Sequence, residues 1–309
     1  ITSNTFTNNT RPMSTYAHRI RNNIYGNSYS NNTKNHIEVI AHDLTEHHGS
    51  VDYHWQNDGA PYVVTETFRI YQNDDNGDNS QDRRSVLRID SGTEILFYPD
   101  QYLYIGHDPN SRYGALQADS VTFTAFDTSD VWGGLWYDQQ AIDDSTINYL
   151  KNSTVAYAND GIYCESASPT ITNSRIQNNV DGVYADGGSS PILTGNTFSN
   201  NERPVTYYAD RIRTTNSENV FTSNTKDYIE VIAGDLTEHY GSVDYHWQDD
   251  GAPYVVTGTF RVYRNDQNAG NDPDRRSVLR LDPGTEIQFY PDQYLYIGSN
   301  PNSRFGALQ

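Results

Sequence analysis

The sequence predicts an all-β solenoid, a chain that winds through stacked coils of about 22 residues each. Three observations predict this class: a composition suited to short strands, a short internal repeat near 22 residues, and a long repeat of 192 residues. A single coil of this size cannot bury an apolar face. Each coil therefore has to stack on its neighbours.

The composition favours short strands joined by frequent turns. Only 35% of the 309 residues are hydrophobic, yet 13% are aromatic, and the chain contains 25 Tyr and 22 Gly. A helical bundle would need more apolar residues, and a disordered polar chain would contain fewer aromatic ones. The sequence contains no apolar run of 18 residues, so we expect no membrane-spanning helix.

The net charge limits the partners that the chain can bind, and the cysteine content limits its disulfides. The chain has 21 basic and 40 acidic residues, a net charge of −19, which repels nucleic acid and anionic lipid. Cys164 is the only cysteine, so an intrachain disulfide is excluded. Its alternation with Gly and Tyr in "GIYC" predicts a small buried side chain rather than a catalytic thiol.

The short repeat is clearest where "SPTITNSRIQNN" returns 22 residues later as "SPILTGNTFSNN". Ile176 then aligns with Phe198, and Asn178 with Asn200. Alternation within these segments predicts short strands whose apolar side chains point into one continuous core. The residues expected in that core are Val155, Ile162, Ile171, Ile176, Val183, Leu193 and Phe198.

The repeated Asn pairs predict a tight corner in each coil. Asn tolerates the left-handed conformation, and its side-chain amide can bond the equivalent Asn one coil away. We therefore expect Asn178 and Asn200, with Asn8 and Asn31 near the start of the chain, to form Asn ladders at such corners.

The long repeat describes how the chain is assembled. "ITSNTFTNNTRP" at residue 1 returns as "LTGNTFSNNERP" at residue 193, and the match continues without a gap until Gln117 meets Gln309. Residues 1–192 are thus one full unit, and residues 193–309 are the first part of the next. We expect residues 1–309 to form one continuous solenoid, a window from a tandem array.

Two stretches carry a family resemblance. The segment from "WGGLWYDQQ" through "GNTFSNN" (residues 132–201) resembles the right-handed parallel β-helix repeat proteins of the pectate-lyase-like superfamily. "LDPGTEIQF", "LYIG" and "GALQA" are similar to coils of large tandem-repeat surface proteins. The resemblance implies a right-handed parallel β-helix and a cell-surface or secreted location. It leaves the function open, because this scaffold carries lyases, hydrolases, adhesins and stalks.

Candidate catalytic carboxylates are scattered along the chain rather than clustered. Lyases and glycosidases need acidic residues that converge on one groove. Asp143 and Asp144 are adjacent in sequence, and on a strand they would point to opposite faces. The sequence therefore predicts that the protein is not an enzyme.

The histidine-rich segment "HDLTEHHGSVDYHW" resembles a metal site, with His42, His47, His48 and His54. The second unit has Gly234 in place of His42 and Tyr240 in place of His48. A structural metal would not lose half of its ligands between tandem copies, so we expect the histidines, with Trp55 and Trp247, to pack beside "DGAPY".

One loop offers a weak calcium site. "NDDNGDNSQDRR" places Asp74, Asn76, Asp78 and Asp82 in a Gly-containing segment, as calcium loops do. Its counterpart in the second unit shifts several of these positions, and the terminal bidentate Glu of an EF-hand is missing. We therefore expect a protruding loop and no cofactor, with calcium as the alternative.

Together these features predict a structural extracellular fibre, stalk or adhesin segment, located at a prokaryotic cell surface or outside the cell. Its expected partners are neighbouring units, or copies of itself end to end, with polysaccharide or a cell surface as further candidates. Three alternatives stay open: a polysaccharide-degrading enzyme, a carbohydrate- or ice-binding module, and a subunit that polymerises end to end.

Overall fold

The computed structural model describes residues 1–45, 51–72, 84–107, 112–212, 216–237, 243–263, 276–298 and 306–309. Within these ranges no helix is long and apolar enough to cross a membrane. Regular structure consists almost wholly of short parallel strands, with two short 3-10 turns at Ala17–Arg19 and Ala209–Arg211.

The strands of the first unit follow one another at short intervals because turn residues interrupt every alternating segment. In chain order they are β1 (Thr5–Thr7), β2 (Met13–Tyr16), β3 (Ser28–Ser30), β4 (Ile37–Ile40), β5 (Val51–Trp55), β6 (Tyr62–Val64), β7 (Phe68–Ile70), β8 (Ser85–Ile89), β9 (Glu94–Phe97), β10 (Tyr102–Ile105), β11 (Gly114–Asp119), β12 (Thr122–Ala125), β13 (Gly134–Tyr137), β14 (Tyr149–Lys151), β15 (Thr154–Ala156), β16 (Asp160–Cys164), β17 (Thr170–Thr172), β18 (Arg175–Gln177), β19 (Asp181–Ala185) and β20 (Ile192–Thr194).

The last of these strands, β20, spans the junction between the two units. All later strands belong to the second unit. They are β21 (Thr197–Ser199), β22 (Arg203–Tyr208), β23 (Val220–Thr222), β24 (Ile229–Ile232), β25 (Val243–Trp247), β26 (Tyr254–Val256), β27 (Phe260–Val262), β28 (Ser277–Leu281), β29 (Ile287–Phe289), β30 (Leu295–Ile297) and β31 (Gly306–Leu308).

Three parallel sheets form the faces of the solenoid. The first sheet has the order β2-β4-β6-β9-β12-β15-β18-β21-β23, and the second has the order β7-β10-β13-β16-β19-β22-β24-β26-β29. The third runs β5-β8-β11-β14-β17-β20, and three smaller sheets are β1-β3, β25-β28-β31 and β27-β30. Because the chain visits the faces in turn, successive strands of one sheet lie one coil apart. The fold is a right-handed parallel β-helix, as predicted.

The coil length is more variable than the sequence predicts. The register advances by 21 residues from Val155 to Ile176 and by 22 from Ile176 to Phe198. It advances by 33 residues from Tyr62 to Ile95. The value of about 22 therefore holds for the coils between Val155 and Phe221 and for the first coil, in which Thr5 pairs with Ser28. Longer coils keep the same three-faced core because the additional residues lie between strands rather than within them.

The core is continuous through the described coils. All seven residues predicted to point inward are at most 1% exposed. Cys164 is fully buried as well, as its alternation predicted. Stacked aromatic side chains extend the core: the rings of Phe198 and Phe221 lie 5.1 Å apart on adjacent coils, and Trp55 packs 5.1 Å from Tyr62. In-register stacking of this kind stabilises each coil through its neighbours.

The Asn corners are partly as predicted. Asn8, Asn31, Asn178 and Asn200 all have positive φ, between 53° and 58°, as expected for left-handed corner residues. The ladder, however, is built by the residue that follows each of them. The side-chain amide of Asn179 donates to Asn201 Oδ1 at 3.1 Å, and that of Asn201 to Asn224 Oδ1 at 3.1 Å.

The shift of the ladder by one residue has a simple cause. In the corner Asn178-Asn179, the left-handed residue is not buried, whereas the next residue turns back into the core and is 3% exposed. The side chain of Asn179 then lies beside buried backbone N–H groups that need hydrogen-bond acceptors. Asn179 Oδ1 accepts from the N–H of Ala158 at 2.9 Å, so the ladder satisfies buried backbone groups at the corner.

Candidate functional site on the second sheet

The outward side of the second sheet carries a column of aromatic rings, formed by Tyr104, Trp136, Tyr163 and Tyr184. These residues occupy the same register position on β10, β13, β16 and β19. Adjacent ring centroids lie 5.2, 4.2 and 5.3 Å apart. Parallel in-register strands place equivalent side chains directly above one another, so the column is a direct result of the fold. We refer to these four residues as the aromatic column.

The rings of the column use their faces against one another. Tyr163 and Tyr184 are stacked with an interplanar angle of 3°, and the two contacts of Trp136 are tilted by 34°. Solvent therefore meets mainly ring edges and hydroxyl groups. Burial raises the pKa of Tyr163 to about 12, and neighbouring acidic and tyrosine side chains add to the effect. The hydroxyl groups accordingly stay protonated at neutral pH and can donate hydrogen bonds.

Side chains flank the aromatic column at its Tyr104 end and beside Trp136. The guanidinium of Arg69, one coil before Tyr104, lies 4.9 Å from the centroid of that ring. The indole N–H of Trp136 donates to Glu165 Oε2 at 2.9 Å. Tyr102 packs beside Tyr104 and over Gly133, where an added Cβ would lie 2.4 Å from the Tyr102 ring. A side chain at position 133 would therefore displace the Tyr102 ring.

A pair of carboxylates lies at the start of the same strands. Asp160 and Asp181 are register partners on β16 and β19, and Arg203 on β22 forms a two-bond ion pair with Asp181. Burial raises the pKa of Asp160, and the hydrogen bond to Asp181 raises the pKa of the Arg203 guanidinium. Paired carboxyl groups are also what glycosidases use as acid and base.

The carboxylate pair was missed at the level of sequence, although the signal was present. "NDGIYC" and "VDGVYA" align at a spacing of 21 residues, which places Asp160 over Asp181 once the segments are read as stacked strands. The aromatic column follows from the same alignment, since Tyr163 meets Tyr184. Trp136 could not be aligned in this way because its coil is longer.

The two adjacent carboxylates considered from the sequence do not lie on a strand. Asp143 and Asp144 lie outside any strand, in a turn, so the argument about opposite strand faces was wrong. Asp143 accepts from the N–H of Ser168 at 3.3 Å and its pKa is raised by burial. Asp144 caps the turn through Thr146, whose hydrogen bonds lower its pKa.

The candidate metal ligands fall into two groups. Asp74, Asn76, Asp78 and Asp82 lie outside the described residues, as do Glu46, His47 and His48. Of the others, His54 Nε2 lies 2.6 Å from Asp90 Oδ1, and the ring of His42 contacts that of His18 at 3.9 Å. Among the described residues no three His, Cys, Asp or Glu side chains converge on a point that could hold a metal.

His54 is directed away from the core because it alternates with two buried aromatic residues on β5. Tyr53 and Trp55 are fully buried, whereas His54 is partly exposed and pairs with Asp90 of the next coil. The second unit repeats this contact between His246 and Asp282. Trp55 packs 5.1 Å from Tyr62, just beyond "DGAP", as expected, while the histidine pairs across coils on the outside.

The fold and this outer face define a class of protein, a right-handed parallel β-helix. In agreement, residues 116–243 match the family model described as "Right handed beta helix region". The matched range contains the carboxylate pair and most of the aromatic column. In comparisons with curated proteins and with solved structures, nothing matches this chain.

Proposed function

We propose that this chain is a segment of an extracellular rod, built from tandem 192-residue β-helix units, that acts as a fibre, stalk or adhesin segment. One observation carries the proposal. The second sheet includes β7 of the first unit and β29 of the second, with seven strands between them, so both copies share one uninterrupted sheet. Units joined in this way add length without adding a flexible joint.

Contacts between successive coils support partners that stack coil on coil. Phe97 and Ile105 are fully buried because the following coil covers them. Neighbouring units of an array, or copies of the chain placed end to end, would extend this core in the same way.

The surface chemistry agrees with a location outside a prokaryotic cell. A net charge of −19 keeps long rods apart in solution and weakens association with nucleic acid or anionic membranes. The single cysteine is buried, so folding requires no disulfide and the rod is independent of the redox state of its surroundings. We propose no cofactor for this role.

The shape of the chain in solution tests the proposal. The described strands span about eleven coils, which at the spacing of parallel strands corresponds to a rod of roughly 55 Å. Small-angle X-ray scattering of the 309-residue chain should give this length and a uniform cross-section. A chain with residues 1–192 repeated should lengthen by about 35 Å per added unit. A compact particle, or two lobes joined by a flexible hinge, would contradict the proposal.

A second candidate function is the binding or cleavage of polysaccharide along the second sheet. The observation that favours it is the aromatic column beside Asp160 and Asp181, since aromatic rings and paired carboxyls are common in carbohydrate sites. Against it, a sugar stacks on the face of an aromatic ring, and here the ring faces are taken up by neighbouring rings.

Binding and turnover assays distinguish the two candidates. We expect the chain neither to bind nor to degrade pectin, alginate or xylan. W136A and D160N are the informative variants, and D127N, an exposed turn residue, is the matched control. Product release that D160N abolishes and D127N leaves intact would establish an enzyme. Retention on a polysaccharide that W136A alone abolishes would establish a binding module.

A further inference from the structure

The 192-residue unit does not contain a whole number of coils. Along the first sheet the chain passes from β2 through β4, β6, β9, β12, β15 and β18 to β21, which is seven steps of one coil. The next strand, β22, is the repeat of β2, because Met13–Tyr16 aligns with residues 205–208. β22 does not join the first sheet. It pairs with β19 in the second sheet.

The later strands of the second unit make the same change of face. In the first unit β4, β6 and β9 lie in the first sheet, and their repeats β24, β26 and β29 lie in the second sheet. Likewise β7 and β10 lie in the second sheet, whereas their repeats β27 and β30 pair with each other on a different sheet. The unit is therefore seven coils plus one face.

We infer that tandem units are related by a screw: each unit is advanced along the rod and turned by one face relative to the unit before it. With three faces, the turn is roughly a third of a revolution, and the advance is about 35 Å per unit at the spacing of parallel strands. The same face then carries the same residues only after three units, or about 106 Å. This inference deepens the proposed function and rests on units being joined in tandem.

The screw determines how an array presents its aromatic column. In the first unit Tyr102 and Tyr104 lie on the second sheet, with ring centroids 5.7 Å apart. In the second unit their repeats, Tyr294 and Tyr296, keep the same arrangement at 5.9 Å. They lie on the β27-β30 sheet, one face further on. Successive units therefore begin their columns on different sides of the rod.

The screw limits which surfaces can contact the aromatic columns of several units at once. A flat surface, such as a crystalline polysaccharide or ice, could touch the column of only one unit in three, at intervals of about 106 Å. The columns of successive units are therefore distributed around the rod rather than aligned along one side.

Labels placed at one position in each unit measure the screw. Arg175 on β18 is exposed, and its side chain can be replaced by cysteine in a chain of four tandem units, with the buried Cys164 changed to Ala. Gold-labelled maleimide and electron microscopy then locate the labels. We expect labels on the first and second units on different sides, about 35 Å apart along the rod. Labels on the first and fourth units should lie on the same side, about 106 Å apart.

The outcomes separate the inference from the proposed function. Rods with every label on one side would overturn the screw and leave the rod intact. Failure of the tandem chain to form rods would overturn the proposed function. In that case the 309-residue chain still decides, because D181C and R203C are register partners across β19 and β22. A short bifunctional thiol reagent should crosslink the two cysteines in the C164A background, because neighbouring strands lie about 4.8 Å apart. The absence of this crosslink would overturn the change of sheet.

Discussion

Asp58 and Asp250 occupy equivalent positions in the two units, but Asp58 accepts three hydrogen bonds and Asp250 accepts one. The hydroxyl of Tyr29 donates to Asp58 at 2.5 Å, and Asn27 donates twice at 2.9 Å, from its backbone and its side chain. Asp250 accepts from the side chain of Asn219 at 2.8 Å, and Phe221 stands where Tyr29 stands in the first unit. Burial raises the pKa of Asp250 from 3.8 to about 7.

This difference predicts a pH-dependent stability that comes from the second unit. A carboxyl whose pKa is raised on folding holds its proton more tightly in the folded state. The free energy of unfolding therefore falls as the pH rises from about 4 to about 7. The shift corresponds to at most roughly 4 kcal/mol. Apart from Asp250, this site contains Asp249, which raises the pKa further, and the buried hydroxyls of Tyr207 and Tyr254.

Urea unfolding of variants at several pH values checks the prediction. D250N should remove most of the pH dependence in this window and be more stable than the parent chain at pH 8. F221Y should lower the pKa of Asp250 by supplying the donor found in the first unit. D58N is the matched control and should destabilise the chain, because Tyr29 and Asn27 lose an acceptor oxygen. Equal pH profiles for the parent chain and D250N would contradict the assignment.

The Asn ladder predicts a large difference between two adjacent asparagines. Asn201 Oδ1 accepts from the backbone N–H of Asn179 at 3.0 Å, and its side chain donates to the carbonyl of Ile176 at 2.9 Å. N201A leaves the buried N–H of Asn179 without its acceptor and removes one donor from the carbonyl of Ile176, at a cost of roughly 1–3 kcal/mol. The exposed neighbour Asn200 has φ 56°, so N200A should cost about 1 kcal/mol and N200G less. Thermal unfolding of the three variants measures the difference, and equal losses for N201A and N200A would argue against the ladder.

The stacked core predicts that single truncations are costly even in a long solenoid. Phe198 is fully buried, and its ring stacks on that of Phe221 in the next coil. F198A should lower the free energy of unfolding by roughly 3–5 kcal/mol. T197A, on the adjacent and partly exposed position, should change it by less than about 1 kcal/mol. Denaturant titration measures both, and a loss below that of T197A would show that the coil is not held by its core.

Calcium removal tests the loop that contains Asp74 and Asp78. Since the expectation is a chain without a cofactor, EGTA should leave the midpoint of thermal unfolding unchanged. A calcium-dependent rise in the midpoint that is lost in D74N and D78N would identify a site there. Magnesium at the same concentration is the control, because a calcium loop accommodates the larger ion with more oxygen ligands.

The sequence predicted the fold class and the core because both depend on local alternation and on self-similarity. Ile171, Ile176 and Leu193 could be placed inside by aligning one coil with the next, and all are buried. The coil length was predicted only where the coils are shortest, as between Val155 and Phe198. In longer coils the additional residues lie between strands. These residues have no apolar periodicity, so the register of the longer coils could not be predicted from the sequence.

By itself, the sequence determined that coils stack, that inward residues such as Ile176 and Phe198 form one core, and that Asn178 and Asn200 turn a corner. Each of these follows from what one residue prefers or from how it repeats. Tertiary structure alone decided that the ladder passes through Asn179 and Asn201, because only a closed coil shows which buried amides lack partners. It also decided that β22 joins the second sheet rather than the first. The 192-residue period does not reveal the face on which a unit begins. That face depends on how many coils a unit completes, and because coils differ in length, the number of residues does not give the number of coils.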